Sequence, residues 1–213
     1  MAEFSAVRSH GLAQTTSVAT GLRTCIATPR TCVTNSESDA KNFIRSVERV
    51  VAKPLAASYI TYGGKALKFY TREVSLQSDD VFRALAMSPL IFQERIAKVA
   101  EVRVTVVDEW AVAVKIDLQT LGPDVPVDTR QLDYFRHRSS FTRCSEYPDL
   151  LNDSKRVVRE LGLSYGGVDW AVDSTGAAHF LECNPLGSFK WFEICSEEDI
   201  TARLVSAISK RCA

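Results

Sequence analysis

The chain has 213 residues, with 26 Lys and Arg balanced by 26 Asp and Glu. That length can bury a sizeable core in one large or two small domains, and the even charge balance argues against a polyanion-binding surface. No run reaches the roughly 20 apolar residues of a membrane span, and the amino-terminal stretch has no apolar signal-peptide region, so the chain reads as cytoplasmic, with neither nucleic acid nor membrane as partner. Its cysteines, Cys25, Cys32, Cys144, Cys183, Cys195 and Cys212, form no CxxC pair and read as reduced packing residues.

Residues 1–34 are poorly patterned: a helix end, a short extended segment around Pro29 and an exit at Asn35. From Ser36 the pattern sharpens. Ala40, Phe43, Ile44 and Val47 recur at helical spacing behind a serine cap, and the helix is expected to stop before the strand "VVAKP". "LKFYTREV" (67–74) reads as one strand and "SDDVFRALAMSP" as a capped helix stopped by Pro89. "LIFQERI", "AEVRVTVVD" and "WAVAVKI" follow as three strands. Residues 117–148 are polar and irregular, with Arg130, Arg136, Arg138 and Arg143, and read as a solvated loop or an acidic-peptide surface. Leu150, Val157, Val158 and Leu161 then make one helical face ended by Gly162. "GVDWAVD" and "AAHFLECN" are two strands about Ser174, Thr175 and Gly176, and a last helix is expected near Ser196, whose "SEED" resembles a capping box. Strands in succession with interspersed helices give an α+β or mixed α/β domain.

Three groups of residues carry chemistry. Side chains alternate along a strand, so Phe180, Glu182 and Asn184 are expected on one face of the last strand and Leu181 and Cys183 on the other. The hairpin returns Asp169 to about the same level, within about one residue of the rung facing Leu181. Two carboxylates and an amide oxygen are hard donors suited to Mg²⁺; the alternative is an exposed hairpin whose polar groups face water. Lys53 interrupts an apolar strand before Pro54, as a snorkelling strand end does. Arg103 commits a permanent charge to the face opposite Val102 and Val104, at a cost of several kcal/mol unless an anion meets it. A phosphate-holding cleft would satisfy all of these groups together.

In order and spacing, "VVAKPL", "FQERI", "EVRVTVV", "GLSYGGVDWAVD" and "FLECNPLGSFKWFE" resemble the ATP-grasp ligases. The similarity is greatest to the microviridin-type (graspetide) maturases of ribosomal peptides. The resemblance implies an α+β fold of two lobes on mixed or antiparallel sheets, with the nucleotide cleft between them. Residues 1–34 would be the residual helix and linker of a missing front domain, 35–96 the first lobe with its lid hairpin, and 97–213 the second lobe with the metal site. It further implies that Lys53 contacts phosphate, that Gln93, Glu94 and the backbone to Ile96 hold the adenine edge, that Glu101 accepts from ribose, and that Leu181 joins the nucleotide-binding set. Arg103 would steady the transferring phosphate, and Asp169, Glu182 and Asn184 would hold magnesium. The implied activity is ATP- and Mg-dependent activation of a carboxylate to an acyl phosphate, attacked by an amine or hydroxyl, on a ribosomal precursor peptide. The alternative is a truncated nucleotide-binding module without ligase activity; a homodimer is left open. Three departures stand out: the lid segment keeps Gly63 and Gly64 but no dense glycine loop, Lys190 stands where the family is aromatic or apolar, and Lys115 where it is acidic or small.

Overall fold

The computed structural model describes residues 26–55, 59–62, 65–122 and 124–212. The helix end read before Pro29 lies outside them. They form two compact units. The first takes in Pro29–Arg95 and Pro126–Gln131, the second residues 26–28, Ile96–Val125 and Leu132–Ala213.

The first unit is built on strands β1 (Thr31–Thr34), β2 (Val50–Pro54), β5 (Arg72–Val74) and β6 (Leu90–Glu94), antiparallel in the order β1-β6-β2-β5. β1 comes from the stretch read as linker; its four residues pair along the whole of Leu90–Gln93. Helix α1 (Glu37–Ser46) starts where the serine cap predicts, with Ser36 Oγ accepting from the Asp39 amide at 3.3 Å. Helix α2 (Asp79–Leu85) contributes Val81, Phe82 and Leu85, which bury with Ala40, Val50, Ala52, Val74 and Phe92 in one core. The strand expected over 67–74 is two strands in two sheets. β3 (Tyr59–Tyr62) and β4 (Lys65–Lys68) pair antiparallel, Tyr59 opposite Lys68 and Tyr62 opposite Lys65, and the chain then breaks before β5. Gly63 and Gly64 lie outside the described residues. Alternation alone could not show the break, because "FYTREV" keeps strand-forming residues through it.

The second unit is a five-stranded antiparallel sheet in the order β11-β10-β7-β8-β9, from β7 (Lys98–Val107), β8 (Trp110–Asp117), β9 (Phe141–Arg143), β10 (Tyr165–Asp173) and β11 (Ala178–Asn184). Helix α3 (Pro148–Glu160) covers one face, burying Leu150, Val157 and Val158 against Val102, Val104, Val106, Val168 and Trp170. It ends at Gly162, whose φ of +69° is the left-handed conformation that favours glycine. The opposite face is divided. Over β8, the helices α4 (Lys190–Ser196) and α5 (Ile200–Cys212) bury Phe192, Cys195, Ile200 and Ala207 against Val112, Val114 and Ile116.

The last helix does not start at Ser196. That residue ends α4, Glu197 turns the chain at φ +59°, and Asp199 Oδ1 accepts from the Ala202 amide at 2.7 Å, so the cap lies three residues later than the sequence suggests. No helix among the described residues is long and apolar enough to cross a membrane.

Candidate active site

Cross-strand register assembles the polar half of the divided face. Asp169 stands opposite Arg103 of β7 on one side and Glu182 of β11 on the other, and Gly167 stands opposite Asn184. Between these rungs the ladder slips: Trp170 pairs with Phe180, so Leu181 is an extra residue, a β-bulge. The bulge overturns simple alternation. Phe180 and Cys183 both enter the core under α3, and the Phe180 ring meets Trp170 edge-on at 5.6 Å. Glu182 and Asn184 stay half-buried on the other face. Leu181 is half-buried too, and it stands outside the core that takes Phe180.

Arg103 grips Asp169 with two bonds, Nε to Oδ1 and Nη2 to Oδ2, the second at 2.8 Å. Its guanidinium lies over the Phe192 ring, 5.1 Å from the centroid. The third nitrogen, Nη1, is enclosed by glycines. A Cβ on Gly167 would fall 2.3 Å from it, and one on Gly187 2.9 Å. Any larger residue at either place would displace the guanidinium. Burial opposes the arginine's charge, but Asp169 and then Glu182 hold its pKa above the ordinary value. Burial likewise lifts the Asp169 carboxyl to about 6; Arg103 works against this, and the Glu182 charge adds to it.

Asn184 is fixed by the turn that follows it. Its Oδ1 accepts from the Leu186 amide at 3.0 Å, its carbonyl accepts from the Gly187 amide at 3.3 Å, and Tyr165 Oη donates to the Gly187 carbonyl. Tyr165 in turn meets Phe189 edge-on. Cys183, one residue from both polar groups, has its thiol pushed up to about 12 by burial, which leaves it no role as a nucleophile.

The other residues expected at the site lie in two places. Lys53 and Gln93 share the face of the first sheet opposite its core, Lys53 in register with Ile91 and Gln93 with Val51. Gln93 is buried and donates to Thr31 Oγ1 at 3.0 Å. The amides of Glu94 and Arg95 donate to the carbonyls of Arg30 and Arg49, and the division between the units falls immediately after Arg95. In the second unit the Ile96 carbonyl accepts from the Lys98 amide at 2.9 Å, and Glu101 is ion-paired to Lys98 on the face that carries Arg103.

Sequence reasoning missed Gly167, Gly187, Phe192 and Tyr165, which set where Arg103 and Asn184 stand. A glycine pair inside a strand is a signal of close approach, and "YGGVDW" carried it. The departure at Lys190 is accounted for locally, since its ammonium pairs with Glu193 on the next turn of α4.

The donor chemistry fits magnesium. Asp169 and Glu182 face one another on one rung with the Asn184 amide two residues on. Among the described residues no cluster of three or more His, Cys, Asp or Glu could hold a metal. One or two carboxylates completed by water and phosphate oxygens are what Mg²⁺ takes, whereas a full protein cage is not.

The same architecture occurs in solved structures. A peptide-associated ATP-grasp ligase from Chryseobacterium gregarium, solved with ADP and a leader and core peptide, superposes with a TM-score of 0.76 at 25% identity over 93% of this chain. The chain has the ATP-grasp fold. The macrocyclase MdnC from Microcystis aeruginosa, bound to its precursor peptide, gives 0.72 at 22% identity over 93% of the chain. D-cycloserine synthetase DcsG gives 0.65 at 21% identity over 95%. The chain spans 58% of the Chryseobacterium protein and 59% of MdnC. No family model and no curated protein matches it by sequence. In this ATP-grasp chain the Asp169–Glu182 rung and Asn184 lie at the end of β11, and Arg103 lies beside them on the same sheet face.

Proposed function

We propose that the chain is an ATP- and Mg-dependent carboxylate ligase that acts through an acyl phosphate on a ribosomally made peptide in the cytoplasm. The observation that carries the reading is the half-buried Asp169–Glu182 rung clamped by Arg103 in an ATP-grasp fold. The Chryseobacterium ligase and MdnC, both solved with peptides, support the peptide as partner.

The residues divide the work. Asp169, Glu182 and Asn184 would hold Mg²⁺, which supplies charge neutralisation to the phosphates when bound. Arg103, pinned by Asp169 and wedged between two glycines, offers a fixed cation to the phosphoryl group in transfer, where positioning and electrostatics are the main requirements. Lys53, Gln93, Glu94, Ile96, Glu101 and Leu181 would bind the nucleotide. No nucleophilic side chain is required, because the substrate carboxylate would attack the γ-phosphorus of ATP, breaking the β–γ bond and releasing ADP, and an amine or hydroxyl of the acceptor would then attack the acyl carbon, releasing phosphate and a proton.

The test is phosphate release from ATP with and without candidate acidic peptides, beside the shift in melting temperature given by Mg·ADP. Peptide-stimulated release supports the ligase. Binding without turnover over a broad peptide set would leave the nucleotide-binding module, and no shift at millimolar nucleotide would remove both.

A further inference from the structure

Asp128 has no part in the site above, yet it is among the few buried charged residues, 6% exposed in a polar loop. Its carboxylate is saturated. Oδ1 accepts from the Arg130 amide at 3.1 Å and from Arg130 Nε at 2.8 Å, and Oδ2 accepts from Arg130 Nη2 and from the Thr71 amide at 2.8 Å. The Thr71 bond spans 57 residues and falls between β4 and β5, where the strand expected over 67–74 breaks. The sequence around Asp128 is a strap: Pro126–Gln131 belongs to the first unit, while Val125 before it and Tyr134 after it pack into the apolar cluster of the second.

We infer that Asp128 is a positioning residue for the β3–β4 hairpin, a latch that holds the hairpin's base at Thr71 against the strap. The inference rests on the nucleotide reading above, in which that hairpin is the ATP-grasp lid. A backbone amide at the base of a two-stranded hairpin needs an acceptor, and β5 supplies none at Thr71, since its pairing with β2 begins at Arg72. A carboxylate oriented by its own arginine is a strong acceptor with one remaining direction to use. Its burial keeps water from replacing it.

The experiment compares Asp128→Ala with wild type by amide hydrogen exchange and by ATP kinetics. Exchange over residues 65–71 should quicken about tenfold while that of β2 and β6 stays unchanged, as expected for the loss of one charge-assisted bond at a locally opening element. The KM for ATP should rise by a similar factor with kcat changed less, and Asp128→Asn, which keeps an acceptor oxygen, should recover part of both. If Asp128→Ala does not fold, Arg130→Ala tests the same latch, since it leaves the carboxylate but removes the group that aims it. Unchanged exchange over 65–71, or exchange that rises equally in β2 and β6, overturns the inference, as does an unchanged KM in an active protein. The exchange measurement needs no nucleotide, so failure of wild type to bind ATP would count against the ligase reading and leave the latch to be judged separately.

Discussion

Strand β11 meets two environments, and its two faces are stabilised in different ways. Beneath α3, Phe180 and Cys183 are fully buried beside Trp170, whose indole N–H donates to the buried Ser154 hydroxyl at 3.0 Å. On the other face Glu182 and Asn184 stand half-buried beside Asp169 and Arg103. The first face is stabilised by area removed from water, the second by matching charge to charge. The bulge at Leu181 lets one strand do both, because it shifts the alternation by one residue between Phe180 and Glu182.

Truncation should separate the faces most sharply. Phe180→Ala is expected to cost about 3–5 kcal/mol in urea unfolding, since it opens a cavity against Trp170. Leu181→Ala is expected to cost under about 1 kcal/mol, because the bulge keeps that side chain out of the core. Simple alternation gives the reverse order, with Leu181 the core residue, so equal costs or the reversed order would break the comparison.

Gly167→Ala comes next, because its effect crosses from packing into chemistry. The added methyl would stand 2.3 Å from Arg103 Nη1, while the same change at Gly166 meets Cys183 Sγ at 2.9 Å and Val158 Cγ2 at 3.0 Å. Gly166→Ala should therefore cost about 1–3 kcal/mol through overpacking and leave Mg·ADP affinity near wild type. Gly167→Ala should cost about as much and abolish turnover as well, because the guanidinium must move. Equal nucleotide affinity and turnover in the two variants would show that Arg103 has no part in the site.

Glu182→Gln should hardly change stability, within about 0.5 kcal/mol, because it relieves one of two facing carboxylates without opening a cavity. Its effect belongs to the ligand. Mg·ADP at about a hundred times its Kd should stabilise wild type by about 2.7 kcal/mol and the variant far less. A thermal shift as large as that of wild type would sink the metal assignment.

These contrasts also mark what could be read without coordinates. The helices behind Ser36 and over Leu150–Leu161 were legible, because caps and apolar spacing are local signals of a local structure. The ordered motifs gave the ATP-grasp fold and brought Arg103, Asp169 and Glu182 to notice. The bulge was not legible: "HFLECN" alternates equally well in either phase, and the choice is made by Trp170 and α3, far away in sequence. Nor was the break before β5, where the Thr71 amide donates to Asp128, 57 residues away, or the end of α4, where "SEED" offers a capping serine that the fold uses as a helix terminus. At the bulge and at the break, the groups that meet the strand lie outside the segment that local patterning reads.

The smallest expected effect lies on the apolar half of the divided face, where a single carboxylate joins its two covering helices. Glu193 of α4 is ion-paired to Lys190 and accepts from the Thr201 amide at 2.6 Å and the Thr201 hydroxyl at 2.7 Å, at the start of α5. Lys190 first, then Thr201, hold its carboxyl down to about 2, from an ordinary 4.5. A carboxyl whose folded pKa is depressed binds fewer protons in the native state than in the unfolded state, so it contributes stability above the unfolded pKa and loses it as pH falls. The loss should run from about pH 4.5 to about pH 2. Urea midpoints over that window should fall less steeply in Glu193→Gln than in wild type, and the two curves should run parallel above pH 6, where the carboxylate is ionised in both states. Equal slopes below pH 4.5 would mean that Glu193 does not bind the two helices through its charge.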